Sequence, residues 1–330
     1  LLQPSDAIAK ALARAAEGLP NHEDRPQQLA MAKAVGHAIE QRRHLVVQAG
    51  TGTGKSLAYL VPALALGERV VVSTATKALQ DQLAGRDLPQ LSRSLGVRFT
   101  FAVLKGRSNY VCLQRVAELT GPDPGAEQMQ LGQDASPPRS SLGALGREVL
   151  RLAAWASGKK ATGDNKASVE ELIFGDRAEL AWEPSDAAWA QVSTGWRECP
   201  GAAQCPSGGE CFAEAARRRA SEADVVVVNT HLYATSLSIK EAELLPPHDL
   251  VVFDEAHELE DIVSAAFGFD LSQARLVALA RSARALVANA SLASDLEDGA
   301  TLLGGVLRPH RDLALVRPID EDVARALGAC

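Results

Sequence analysis

Apolar positions recur at helical spacing through residues 1–43, broken only by "GLPNHEDRP". From 44 the pattern changes to short Val-rich runs alternating with amphipathic stretches. "HLVVQA" (44–49) predicts a strand, "GTGTG" a glycine-rich turn and "KSLAYLVPALAL" (55–66) a helix. "RVVVSTA" (69–75) predicts a second strand, "KALQDQLAGRDLPQL" a second helix and "VRFTFAVL" (97–104) a third strand. Continuous apolar strands separated by helices predict an α/β fold around a parallel sheet.

The alternation then stops. "GPDPGAEQMQLGQDASPPRSSLG" (121–143), rich in Pro, Gly, Ser and Gln, reads as a flexible excursion. Helical patterning resumes at "ALGREVLRLAAWASG". The alternation returns with "CFAEAARRRASEA" as a helix, then "DVVVVN" (224–229) and "DLVVFDEAH" (249–257) as strands. Beyond 265 the chain is rich in Ala, Leu and Arg and helical in pattern. The expected organisation is one α/β domain (1–111 and 212–265), interrupted by an insertion (112–211) and followed by a helical region (266–330).

Composition narrows the classes. The chain has 330 residues, 46% hydrophobic and 23% charged, ordinary for a globular protein of about two domains. Aromatic residues make up 4%, which argues against an all-β sandwich. No apolar run is long enough to span a bilayer, and the amphipathic opening is unlike a signal peptide. Starting at Leu1 and ending at "ARALGAC", the sequence reads as a fragment of a longer protein. The net charge is −7, so a nucleic-acid partner needs a local basic surface.

"AGTGTGKS" (49–56) stands between a predicted strand and a predicted helix. There, glycines let backbone N–H groups converge on phosphate oxygens, and the helix N-terminus adds its positive end. Gly50, Thr51, Gly52, Thr53 and Gly54 would cradle the phosphates, with Lys55 on the β/γ-phosphates and the Ser56 hydroxyl on magnesium. Ala49 stands where the strict pattern has Gly. A turn with no ligand is the bland alternative. The second half of such a site is an acidic strand end, supplied by "LVVFDEAH". Asp254 would hold magnesium and Glu255 would act as general base, with His257 beside them. A solvated turn is the alternative for this element alone.

Five cysteines in a chain of this size do not read as a disulfide scaffold. Cys199, Cys205 and Cys211 are spaced C-x5-C-x5-C, Cys112 lies far upstream, and Cys330 is apart at the terminus. Asp254 lies 199 positions after Lys55 (55 to 254), so the two phosphate-site elements flank a long insertion that Cys112 opens and the trio closes. Four thiolates suit zinc or an iron–sulfur cluster. The lack of a close cysteine pair weighs against a zinc ribbon, but spacing leaves both open, with buried free thiols a third reading.

"AGTGTGKS" and "DEAH" resemble motifs I and II of superfamily 2 helicases. "STATKALQDQL" (73–83) resembles their motif Ia, and "RPQQLAM" (25–31) their adenine-reading element, with Gln28 on the base and Arg25 beside it. With "LKGRSNYVC" and the cysteine trio, residues 20–265 resemble the iron–sulfur helicases of the DinG/XPD group, most of all the bacterial DinG branch. The resemblance implies a RecA-like motor lobe with an inserted 4Fe–4S domain and the start of a helical arch domain. The four ligands would be Cys112, Cys199, Cys205 and Cys211, with the cluster as a structural clip. It also implies an ATP- and magnesium-dependent 5′–3′ DNA helicase of repair or replication. Such a protein would be a cytoplasmic, nucleoid-associated monomer on single-stranded, forked or displaced-strand DNA. His257 would couple the ATP site to a second lobe. Motifs III to VI fall outside this sequence, so the chain by itself is expected to turn over little ATP.

Nucleic-acid contacts are expected at Lys77, Lys105, Arg107, Tyr110 and Asn229, with His231 and Arg217–Arg219 as further candidates. Arg107 could instead neutralise thiolate charge, and "ARRRA" could be a solvated helix face. "TGD" (162–164) and Trp155, Trp182, Trp189 and Trp196 fall in the insertion, the tryptophans read as core. The competing readings are a DEAH-type RNA helicase and a zinc-bearing nucleic-acid-binding ATPase.

Overall fold

The computed structural model describes residues 4–17, 25–50, 52–120, 143–157, 175–239, 244–268, 271–284, 289–310 and 318–330. The chain divides into two compact units, Leu1–Ala266 and Phe267–Cys330.

The first unit is built on a parallel sheet of four strands: β1 (Val70–Thr74), β2 (Phe101–Val103), β3 (Val225–Asn229) and β4 (Leu250–Phe253). The spatial order is β2-β3-β1-β4, with Val72 opposite both Val227 and Val252. The β1 residues are buried throughout, as a central parallel strand requires, and its β-branched valines suit the pleat.

Alternation along β1 and β3 sends side chains to two faces, each with its own core. Val70, Val72, Val225 and Val227 pack with α1 (Pro4–Glu17), α2 (Pro26–Glu40), α3 (Lys55–Ala65), the α4 (Lys77–Gln82) continuation at Leu83, and α5 (Leu88–Ser94). Val71, Val226 and Val228 face the opposite core. The chain leaves β2, runs through Cys112 into α6 (Leu113–Thr120), then α7 (Ala144–Ser157), α8 (Asp186–Val192) and α9 (Phe212–Glu222), which enters β3. Val116, Leu152, Trp189, Val192 and Phe212 from these helices share that second core with the sheet. The described helices of this segment are therefore packed on the sheet. Two antiparallel bridges, Tyr110 with Asp176 and Val111 with Ser193, join its outgoing and returning segments. Asn229 caps α10 (Thr230–Ser238), and β4 leads through the acidic turn to α11 (Leu259–Phe267).

Two expectations change. Residues 44–49 form no strand among the described residues, and Val46 is 94% exposed. An apolar run becomes a strand only where a partner edge is in reach, and no described strand pairs with it. The predicted second helix is interrupted: α4 runs into a π-turn at Leu83–Asp87 before α5. The excursion at 121–142 and "TGD" lie outside the described residues.

The second unit is helical: α12 (Gln273–Arg284), α13 (Ala290–Leu307) and α14 (Glu321–Gly328). Its core is Leu276, Ala300, Leu303 and Ala326, closed by an Arg284–Glu297 ion pair at 2.8 Å. Among the described residues, no helix of the chain is long and apolar enough to cross a membrane.

Candidate nucleotide site and cysteine recess

The phosphate loop is shaped by two glycines in the left-handed region, Gly52 (φ 79°) and Gly54 (φ 75°). At Gly54 a Cβ would also collide with the Gln28 amide, so glycine is needed twice over. Gly54 is the N-cap of α3 and offers no side chain to the first turn, which leaves those N–H donors for an anion. The loop is braced from outside. Arg25 Nη1 donates to the Gly52 carbonyl and Gln28 Nε2 to the Gly54 carbonyl, both at 2.9 Å. Thr53 Oγ1 donates to the Gly50 carbonyl at 2.9 Å. Arg25 and Gln28 thus hold the loop itself. Thr51 lies outside the described residues.

Strand β4 neighbours β1 and delivers Asp254 and Glu255 to the same end of the sheet. Glu255 sits at φ 56°, a left-handed conformation uncommon for a residue with a side chain. It points its carboxylate at the loop: Lys55 Nζ lies 3.0 Å from Glu255 Oε1. Asp254 Oδ1 accepts from the Glu255 N–H at 3.1 Å. Its Oδ2 lies 3.5 Å from the hydroxyl of Tyr59, a buried residue on α3. Burial, then the Asp254 carboxylate, push the Tyr59 hydroxyl far above its ordinary range, so it remains a donor. His257 is 72% exposed, with Nδ1 3.5 Å from Glu255 Oε2. Tyr59 was not anticipated from sequence, because the helix pattern marks it only as an apolar-face residue.

On the other face of the sheet, Cys112, Cys199, Cys205 and Cys211 line a single recess. All four are half-buried free thiols. The trio repeats one local device. The Cys199 N–H donates to Gly195, that of Cys205 to Gly201 (both 3.1 Å), and that of Cys211 to Gly208 (3.4 Å). Each cysteine thus ends a tight turn opened by a glycine. The Cys112 N–H donates to the Val192 carbonyl at 2.7 Å, which brings the distant fourth thiol to the trio. A Cβ on Gly208 would strike the Ala202 backbone, so the wall of the recess is close-packed. Burial pushes the Cys112 thiol up; the N–H groups of Arg115 and Gln114 oppose this, and Cys211 and Cys205 add to it. Among the described residues, no three His, Cys, Asp or Glu side chains converge tightly enough to hold a single metal ion. Four thiols in one recess, with a guanidinium beside them, are a donor set of the kind that zinc and iron–sulfur groups take.

That guanidinium is Arg107, whose Nη2 bonds Glu214 Oε1. Burial pulls its pKa down, but Glu214, with Cys199 and Cys211, outweighs that and raises it. Several of the residues expected to meet nucleic acid have partners within the chain. Lys105 is 7% exposed and ion-paired to Asp176, and Tyr110 is 5% exposed in the core, so neither presents itself to a polymer. Arg107 is engaged by Glu214 and lines the cysteine recess. Asn229 Oδ1 caps α10 by accepting from Leu232 N at 2.7 Å. His231 and Arg218 are exposed, and the Lys77 side chain lies outside what is described. Trp189 is core; Trp182 is covered by the Arg151 guanidinium, 4.1 Å from its ring centre; Trp196 is 41% exposed. Asp176 and Glu214 were missed, though Asp176 with Glu179 three residues later has the spacing of a capping box, which it forms.

Residues 25–122 match the DEAD/DEAH box helicase family. The chain is 47% identical over 292 residues to the ATP-dependent helicase DinG of Mycobacterium tuberculosis, covering 86% of this chain and 41% of that protein. It is 40% identical over 270 residues to the ATP-dependent DNA helicase YoaA of Escherichia coli, covering 81% of this chain and 38% of that protein. A solved structure of truncated XPD aligns over 90% of this chain and 72% of its own, at 15% identity and a TM-score of 0.45. The chain thus spans about two fifths of the length of these curated relatives. Over most of its length it is similar to the DinG and YoaA helicases, and residues 25–122 match the DEAD/DEAH box helicase family.

Proposed function

We propose that the whole protein is an ATP-dependent DNA helicase that moves 5′ to 3′ on single-stranded DNA and separates duplex during repair or replication, in the cytoplasm on nucleoid DNA. This chain would supply its first motor lobe (1–111 and 212–265), an inserted 4Fe–4S domain (112–211) and the start of a helical arch (266–330). The observation that carries the reading is the Lys55–Glu255 contact at 3.0 Å, which joins the phosphate loop to the DEAH strand end in one site.

In that site the N–H groups of residues 50–54 and the Lys55 ammonium hold the β- and γ-phosphates. Ser56 and Asp254 would hold magnesium, which when bound neutralises phosphate charge. Glu255 takes the proton of the attacking water as its oxygen bonds the γ-phosphorus and the bond to ADP breaks. Once nucleotide draws Lys55 away, Glu255 is free for that task. Arg25 and Gln28 lie beside the loop, where a base can be read. Cys112, Cys199, Cys205 and Cys211 would hold the cluster, which when bound cross-links the two ends of the insertion. Arg107 balances thiolate charge. Forked and displaced-strand DNA are the expected substrates of a monomer, with Lys77 and His231 as the remaining candidates for polymer contact.

The test uses the full-length protein with single-stranded DNA, single-stranded RNA and duplexes tailed at either end. DNA-stimulated ATP turnover with separation of 5′-tailed duplex supports the reading. Stimulation by RNA alone would favour a DEAH-type RNA helicase.

A further inference from the structure

Lys105 follows β2, where Leu104 N still donates to the Val227 carbonyl at 2.9 Å, and its side chain turns inward. Its Nζ lies 2.6 Å from Asp176 Oδ2, with the two side chains 7% and 4% exposed. A second carboxylate, Asp81 on α4, is 3.8 Å away and 56% exposed. The other Asp176 oxygen accepts from Ala178 N at 2.9 Å, and the Asp176 backbone bridges Tyr110. The Tyr110 hydroxyl in turn accepts from the Lys105 N–H at 3.4 Å. Lys105 therefore joins three segments: its ammonium faces motor helix α4 and the returning chain at 176, while its backbone N–H holds Tyr110 on the outgoing chain that leads to Cys112. Helix α4 is itself fixed to the sheet by buried Gln80, whose Nε2 donates to the Val227 carbonyl at 3.3 Å.

A buried ion pair adds little stability over a well-packed apolar pair, but it tolerates one register only, since a slip strands both charges. Its placement at the base of the insertion is where register matters. We propose that Lys105 is a positioning residue that locks the cysteine-bearing insertion in register on the motor sheet and, through Asp81, ties that register to α4. Strand separation then depends on Lys105 while ATP turnover does not. This rests on the proposed helicase reading and further takes the insertion as the part that meets the duplex.

The test compares full-length wild type with Lys105→Met, Lys105→Arg and the double variant Lys105→Met/Asp176→Leu. Three readouts are followed: ATP turnover on single-stranded DNA, strand separation, and backbone amide exchange. Lys105→Met is expected to keep turnover within about twofold and to lose about tenfold or more of strand separation. Exchange should quicken at 107–112 and 175–180 but not in β1 or β3. Lys105→Arg keeps the cation and should recover most of the separation. The double variant removes both buried charges, so it should fold as well as wild type yet still separate poorly. Separation within about twofold of wild type in Lys105→Met, or turnover falling in step with separation, overturns the proposal. If wild type hydrolyses ATP but separates no strands, the helicase reading fails instead. The exchange readout then decides the register claim alone: quickened exchange supports it and unchanged exchange overturns it.

Discussion

The Lys55 ammonium lies 3.0 Å from Glu255 Oε1, so the loop that would hold phosphate and the carboxylate that would activate water are already in contact. The two side chains are 25% and 31% exposed, and a pair so placed contributes about 1 kcal/mol or less. Nucleotide phosphates can therefore displace it. Glu255→Gln should leave nucleotide affinity within a few-fold and lower single-turnover hydrolysis by about 10²–10⁴. Lys55→Ala should weaken nucleotide binding directly. Both are read on the full-length protein by fluorescent-nucleotide titration and rapid-quench hydrolysis.

Tyr59 donates toward Asp254 from the core of α3. Tyr59→Phe keeps the ring and removes that donor, at a cost of about 0.5–1.5 kcal/mol. The change should appear as a higher magnesium concentration for half-maximal nucleotide binding, with the magnesium-free affinity unaltered. An unchanged magnesium titration would remove Tyr59 from the site.

The tyrosines also set a pH dependence. Burial raises the hydroxyl pKa of Tyr59 and Tyr110 above the ordinary value near 10. The folded chain then keeps protons that the unfolded chain releases, so their contribution is complete below about pH 10 and is lost as pH rises beyond it. Urea midpoints measured from pH 8 to 11 should decline at the alkaline end. Tyr110→Phe should flatten that decline while lowering stability near pH 8 by about 0.5–1.5 kcal/mol through the lost bond to the Lys105 N–H.

Packing separates two apolar residues that look alike in sequence. Leu60 is fully buried in α3, and Leu60→Ala should cost about 2–5 kcal/mol in denaturant unfolding. Val46 is 94% exposed, and Val46→Ala should stay within about 0.5 kcal/mol of wild type. A large loss at Val46 would show that residues 44–49 are buried after all.

Sequence pattern reached the sheet because β1, β3 and β4 are dense in Val, Leu and Phe and bounded by polar residues, and β1 and β3 are central enough to need no alternation. It failed at 44–49, where the same Val-Val signal stands without a partner edge. It failed again at Leu83–Asp87, since a π-turn shifts the helix phase by one residue without changing its composition. The phosphate loop, the DEAH turn and the four cysteines stood out in the sequence because phosphate binding, water activation and thiolate ligation each favour those residue types. Lys105, Arg107 and Tyr110 were legible as chemistry but not as location. A basic or aromatic residue near a cysteine looks the same whether it meets a polymer or a buried carboxylate. The carboxylates that claim Lys105 and Arg107, Asp176 and Glu214, arrive much later in the chain.

The cysteine recess carries the most specific part of the account. Cys199→Ser removes one of four thiols and leaves the phosphate loop, on the opposite core, untouched. It should abolish strand separation and cluster content in the full-length protein while nucleotide affinity stays within about twofold.

The most direct measurement is the visible absorption spectrum of the anaerobically purified protein, taken with its iron, acid-labile sulfide and zinc content. The protein should be brown, with broad visible absorbance and about four irons and four sulfides per chain. The absorbance should be lost in Cys199→Ser. A colourless protein carrying stoichiometric zinc would contradict the iron–sulfur reading.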